Sequence, residues 1–301
     1  MNKLTHPLLP LLCSIAICLH AQKEKNLVAH GATPQIIADG FIFTEGPAVD
    51  NDGNVYFTDQ PNDRIWKWTA HDGTLSLYKE KQGRANGLYI DKKGNLYSCA
   101  DLDNELRIYD QHGNHNVLVN AFEGKKLNGP NDLWIAPSGG IYFTDPYYKR
   151  NYWTHRNDDK QIDGENVYFL TPDRKKLIQV ASDLDKPNGI AGTPDGKYLY
   201  VADIQANKTY RYNILPDGQL SEKKLFAESG SDGMTLDAEG NVYLTGNGVT
   251  VFNPEGEQIA HIPIAANWTA NLCFGGKERK TLIITACQFL YALKMNVAGV
   301  E

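Results

Sequence analysis

The chain has 301 residues, with 30 Lys and Arg against 36 Asp and Glu and a formal net charge of −6 at pH 7. An acidic balance without a basic run excludes nucleic-acid binding, which needs clustered Lys and Arg; 42% hydrophobic and 22% charged residues describe a globular chain, not a disordered one. The 27 Gly and 16 Tyr favour turns and strands over a helical bundle.

In chain order, the first element is a short basic start at Lys3, followed by an apolar run from Leu8 to Leu19 and a small residue at Ala21. This order predicts a secretory signal over residues 1–21, too short to span a bilayer, and a mature chain over 22–301 that is periplasmic or secreted. Removing the signal would remove Cys13 and Cys18 and leave Cys99, Cys273 and Cys287, which is no disulfide framework. Cys273 and Cys287 could pair; buried free thiols are the expectation.

From Glu45 onwards one pattern recurs: a polar residue, usually Gly, an apolar run, an Asp/Gly turn and an aromatic alternating strand. It reads EGPAVDNDGNVYFTD from Glu45, NGLYIDKKGNLYSCAD from Asn86, NDLWIAPSGGIYFTD from Asn131, NGIAGTPDGKYLYVAD from Asn188 and DGMTLDAEGNVYLTG from Asp232. A degraded copy starts at Asn271. The turns at Gly53, Gly94, Gly196 and Gly240 supply the positive φ of tight hairpins. Further strand-like runs such as Arg64–Trp68, Leu106–Tyr109 and Thr209–Tyr212 bring the count to about four per repeat, which is the period of a β-propeller blade. The expected fold is all-β: one six-bladed propeller over 22–301, its ring closed by a strand from Gln35–Phe43 pairing in the last blade. A propeller closes its own edges, so a monomer is expected.

Equivalent positions of a propeller point at the axis, so Glu45, Asn86, Asn131, Asn188, Asp232 and Asn271 would surround one polar cavity. Two carboxylates and several amide oxygens suit a hard divalent cation: Ca²⁺ in the first place, with Mg²⁺, Mn²⁺ or Zn²⁺ also admitted by an all-oxygen site. The expected metal site is Glu45, Asn131, Asn188 and Asp232. Against it stands the reading that Asn-Gly and Asp-Gly merely make turns at the blade entrance. The recurring Asp59, Asp101, Asp145 and Asp203 at strand ends read as hydrogen-bonding turn residues. No Gly-x-Ser-x-Gly elbow or His-Glu-x-x-His motif is present, and the histidines lie off the axial positions.

These motifs resemble the senescence marker protein, gluconolactonase and luciferin-regenerating enzyme family over nearly the whole mature chain. GFIFTEGP over 40–47 resembles its first-blade signature, RANGL over 84–88 and FTDPY over 143–147 the second and third blades of bacterial gluconolactonases, and KPNGI over 186–190 and SDGM over 231–234 its metal-binding motifs. The resemblance implies Glu45, Asn188 and Asp232 as metal ligands and Asn131 as a substrate contact or fourth ligand. Ser231 departs from the family, which often has Pro there. A lactonase acting on a small-molecule sugar lactone would use the cation to polarise the ester carbonyl and Asp232 as general base. Asn131 would assist catalysis, and Asn131, Asn86 and Tyr147 would hold substrate. A phosphotriesterase-like hydrolase and a non-catalytic carbohydrate- or protein-binding propeller are the alternatives. The segment 146–160, with Lys149 and Arg150 among aromatics, suits a lid over a hydroxylated, partly anionic ligand, or a solvated loop.

Overall fold

The hairpin turns at Gly53, Gly94 and Gly240 are each held by their own aspartate. Asp50 Oδ1 accepts the backbone N–H of Asp52 at 3.0 Å and of Asn54 at 2.9 Å, while Oδ2 accepts Asn54 Nδ2 at 2.9 Å. Gly53 then takes φ = 88°, which side-chain-bearing residues adopt at a cost. Asp91 with Asn95 and Asp237 with Asn241 repeat the arrangement. The turn therefore recurs because an Asx bond, a short amide and a glycine together satisfy its backbone groups.

The computed structural model of the protein describes residues 27–110, 113–150 and 160–300, and it is a six-bladed propeller. The expected signal, residues 1–21, and most of the 146–160 segment lie outside the described residues. Six four-stranded antiparallel sheets follow one another along the chain, with innermost strands Thr44–Val49, Ala85–Ile90, Leu133–Ile135, Pro187–Gly192, Met234–Leu236 and Asn271–Gly275. Each innermost strand lies against the next, and the sixth against the first. The ring closes as expected: Gln35–Ala38 pairs antiparallel with Phe289–Lys294 as the outer strand of the sixth blade. A small hairpin of Ala121–Phe122 and Lys125–Lys126, unforeseen in the sequence, leads into blade three.

The core is divided among the blade interfaces. One apolar cluster joins blades six and one through Val55, Phe57, Cys273 and Ile283, and another joins blades three and four through Trp134, Phe169, Leu199 and Val201. Burial of these faces drives the assembly, at about 25 cal/mol per Å² of apolar surface. Cys99, Cys273 and Cys287 are free thiols; Cys287 is only half-buried, at variance with the expected burial. Its backbone explains this, because it sits at φ = 50° in the exposed turn between two strands of blade six. No helix among the described residues is long and apolar enough to cross a membrane.

Candidate axial metal and substrate site

Three of the polar-Gly pairs are not turns, while Asp232–Gly233 forms a bend just ahead of its strand. Glu45–Gly46, Asn86–Gly87 and Asn188–Gly189 lie within innermost strands, and each of these strands breaks register with its neighbour just there, between Glu45 and Ala48, Ala85 and Leu88, and Pro187 and Ile190. A bulge of this kind re-aims a side chain, and in each of these strands the polar residue of the pair lies at the irregularity. The glycines are required by crowding. A Cβ on Gly46 would lie 2.1 Å from the Asn86 carbonyl oxygen, one on Gly189 2.7 Å from that of Asp232, and one on Gly233 2.0 Å from the Asn271 side chain.

Threonines bind the ring of strand starts together. Thr58 Oγ1 donates to the Asn86 carbonyl at 3.1 Å, Thr144 Oγ1 to that of Asn188 at 2.8 Å, and Thr245 Oγ1 to that of Ala270 at 2.8 Å. Strand-end aspartates hold the chain entering each motif: Asp59 accepts the N–H of Ile42 and Phe43, Asp145 those of Asn128 and Gly129, and Asp203 those of Asp185 and Lys186. This is the turn-holding role read for them. Asp101 differs, pairing with Arg150 at 3.7 Å. Ser231 takes up the backbone beside Asp232 by accepting the Thr245 N–H at 2.7 Å and donating to the Gly233 carbonyl.

Glu45, Asn86, Asn131 and Asn188 are buried, and Asp232 is half-buried. Burial and the nearby Asp232 hold the Glu45 carboxyl well above the usual carboxylate range, against the Gly46 N–H that donates to Oε2 at 2.9 Å. Burial also raises Asp232, opposed by the indole N–H of Trp268 at 2.6 Å from Oδ2, by Arg150 and by Asn188. Asn188 Nδ2 donates to the Tyr148 hydroxyl at 2.7 Å, and its Oδ1 is buried with no hydrogen-bond partner among the described residues. The side-chain amides of Asn86 and Asn131 likewise have no partner among the described residues. The orphaned Asn188 oxygen, the Asp232 carboxylate next to that side chain and the Glu45 carboxyl that Asp232 raises are a donor set that fits a hard cation. No group of three His, Cys, Asp or Glu side chains gathers among the described residues, so amide oxygens would have to complete such a shell.

Asn271 does not join the other five. Its Nδ2 donates to Asp132 Oδ2 at 3.3 Å and its Oδ1 accepts the Leu272 N–H at 2.8 Å. Asp132 is an axial residue the motif reading passed over, although blade three carries Asp where blades one, two, four and five carry Gly. Burial pushes its carboxyl up to about 7, against the Leu133 N–H at 2.9 Å and the Asn271 amide. Asp132 and Asn271 line a channel of about 560 Å³ with Leu88, Trp134, Ile190 and Met234; none of the other five axial residues borders it.

Three further residues reach the site from loops. Trp268, 37% exposed, comes from the segment entering blade six, and Tyr148 and Arg150 follow the second strand of blade three. Tyr147, the expected substrate contact, is half-buried and lends its carbonyl to Lys186 Nζ at 2.9 Å; the hydroxyl on Asn188 belongs to Tyr148. Nothing in the repeat marks Tyr148 or Trp268, because neither sits at a repeated position.

The chain is thus a six-bladed β-propeller that carries acids and amides at the starts of its innermost strands. Residues 43–288 match the SMP-30/Gluconolactonase/LRE-like region, and the chain belongs to that family. It is 27% identical to a gluconolactonase of Zymomonas mobilis over 89% of this chain and 83% of that one. With the lactonase drp35 of Staphylococcus haemolyticus the identity is 27%, covering 89% of this chain and 81% of the relative. The structure of a gluconolactonase from Xanthomonas campestris superposes with a TM-score of 0.83 at 29% identity, covering 90% of this chain and 91% of that one.

Proposed function

We propose that the protein is an exported, divalent-metal-dependent hydrolase that opens a sugar lactone such as a gluconolactone, working as a monomer. The observation that carries this reading is a buried, orphaned Asn188 Oδ1 on a side chain that neighbours Asp232, with Glu45 close enough to Asp232 to be raised by it, an arrangement that is costly without a cation. Family membership and the names of its relatives supply the substrate class. Glu45, Asn188 and Asp232, with Asn131, would hold the cation, Ca²⁺ by the hardness of the donors. Bound there, it would act as a Lewis acid on the lactone carbonyl.

The chain's own groups account for the rest. Asp232, with Oδ2 anchored by Trp268, accepts a proton from the attacking water as the water oxygen bonds to the carbonyl carbon. The ring C–O bond then breaks, and the departing alkoxide takes up a proton to become a hydroxyl. The product is a hydroxy acid, which releases one proton at neutral pH. Asn86 and Asn131 have amides available for the sugar hydroxyls and the carbonyl oxygen. Arg150 adds a positive charge close enough to lower both Glu45 and Asp232, and it would attract the carboxylate formed.

The test is Asp232→Asn, assayed by proton release from glucono-δ-lactone. Loss of the catalysed rate by about 10²-fold or more is expected for removal of a general base. Full activity in this variant would overturn the assignment of Asp232.

A further inference from the structure

The Asn188 side chain has two ends, and only one of them can serve a cation. An amide presents either an acceptor oxygen or two N–H donors, so an amide ligand works only if its nitrogen is occupied elsewhere. Here the nitrogen is turned to a phenol: Asn188 Nδ2 donates to the Tyr148 hydroxyl at 2.7 Å, on the side from which the amide also lowers the Asp232 carboxyl, and Oδ1 is left buried and unpartnered.

Tyr148 is itself fixed from several directions. The Arg150 guanidinium lies 4.4 Å and the Lys186 ammonium 4.7 Å from its ring centroid. Lys186 is held by Glu165 at 3.1 Å and by the Tyr147 carbonyl at 2.9 Å, and it stands two residues before Asn188 in the same motif. The lysine that enters the innermost strand of blade four is thus clamped to the loop of blade three that carries the phenol. Both cations lie within the roughly 6 Å at which a positive charge is attracted to the face of an aromatic ring, and so favour this placement of the ring.

From this geometry we infer that Tyr148 is a positioning residue: its hydroxyl holds the Asn188 amide with Oδ1 turned into the axial cage, and so sets the affinity of that cage for its cation. The inference rests on the metal-site reading above. Groups that orient a metal ligand typically change affinity 10- to 100-fold when removed.

The test is Ca²⁺ titration by calorimetry on the purified chain after chelation, for wild type, Tyr148→Phe, Asn188→Ala and the double variant. Tyr148→Phe keeps the ring and both cation contacts, and its metal-free melting temperature reports separately what loss of the hydroxyl costs the fold. Its Ca²⁺ affinity should fall about 10-fold or more. In the Asn188→Ala background the same change should cost nothing further, because the amide it orients is gone. Wild-type affinity in Tyr148→Phe, or an equal loss with and without Asn188, overturns the inference alone. A raised KM with unchanged Ca²⁺ affinity also overturns it, by making Tyr148 a substrate contact. A wild-type protein that binds no Ca²⁺ overturns the metal-site reading, and the inference with it.

Discussion

Asp132 stands one residue beyond Asn131 on the axis, and its environment decides how it ionises. It is buried, its carboxyl is pushed from the ordinary 3.8 up to about 7 by loss of water, and its donors, the Leu133 N–H and the Asn271 amide, offset only part of that cost. Because the folded value is the higher one, the native state binds the extra proton. The stability linked to it is therefore complete below about pH 4 and is lost as pH rises towards 7. In chelated protein, Asp132→Asn should remove this penalty, and its melting temperature relative to wild type should climb by several degrees between pH 4 and 7. Differential scanning calorimetry at a series of pH values measures the gap. A gap that stays constant or narrows would show that Asp132 is ionised at no extra cost.

The innermost strands do two things at once, and their glycines show the conflict. Gly46 sits at φ = 36° with the Asn86 carbonyl oxygen where a Cβ would be, so Gly46→Ala has no room and no relaxed backbone. The substitution should destabilise the protein by about 3 kcal/mol or more, as overpacking against a rigid backbone does, read as a shift of the urea midpoint. Gly94 gives the contrast, with no atom within 4 Å of its would-be Cβ; the cost of Gly94→Ala is confined to its positive φ, about 1 kcal/mol. The motif was readable in the sequence as polar-Gly followed by an apolar run, and so were the blades, their turns and the closing strand. What the repeat could not show is that Asn271 turns aside to Asp132, since that depends on a neighbour 139 positions away. Nor could it show Tyr148, Arg150 and Trp268, which arrive from loops of blades three and six with no periodic signature. Asp132 was visible in principle, as the acid that breaks the run of glycines.

For the whole molecule, the axis is where all six blades meet, so a cation held there would tie the first, third, fourth and fifth blades together. Ligand that binds only the native state stabilises it by mass action, about 2.7 kcal/mol at a hundredfold excess over Kd. For a domain of this size that is a rise of about 5 °C in melting temperature. Ca²⁺ added to chelated protein should produce it, and Glu45→Ala should abolish it. An identical shift in that variant would place the ion elsewhere.

Metal-dependent lactone opening is tested most directly by the rate of proton release from glucono-δ-lactone above spontaneous ring opening. It is measured on chelated wild-type protein, after Ca²⁺ is restored, and on Glu45→Ala under both conditions. The expected result is a rate lost with the chelator, regained with Ca²⁺ and absent from Glu45→Ala throughout. A chelated protein that keeps its full rate, or one that shows none with Ca²⁺, Mg²⁺, Mn²⁺ or Zn²⁺, would contradict it.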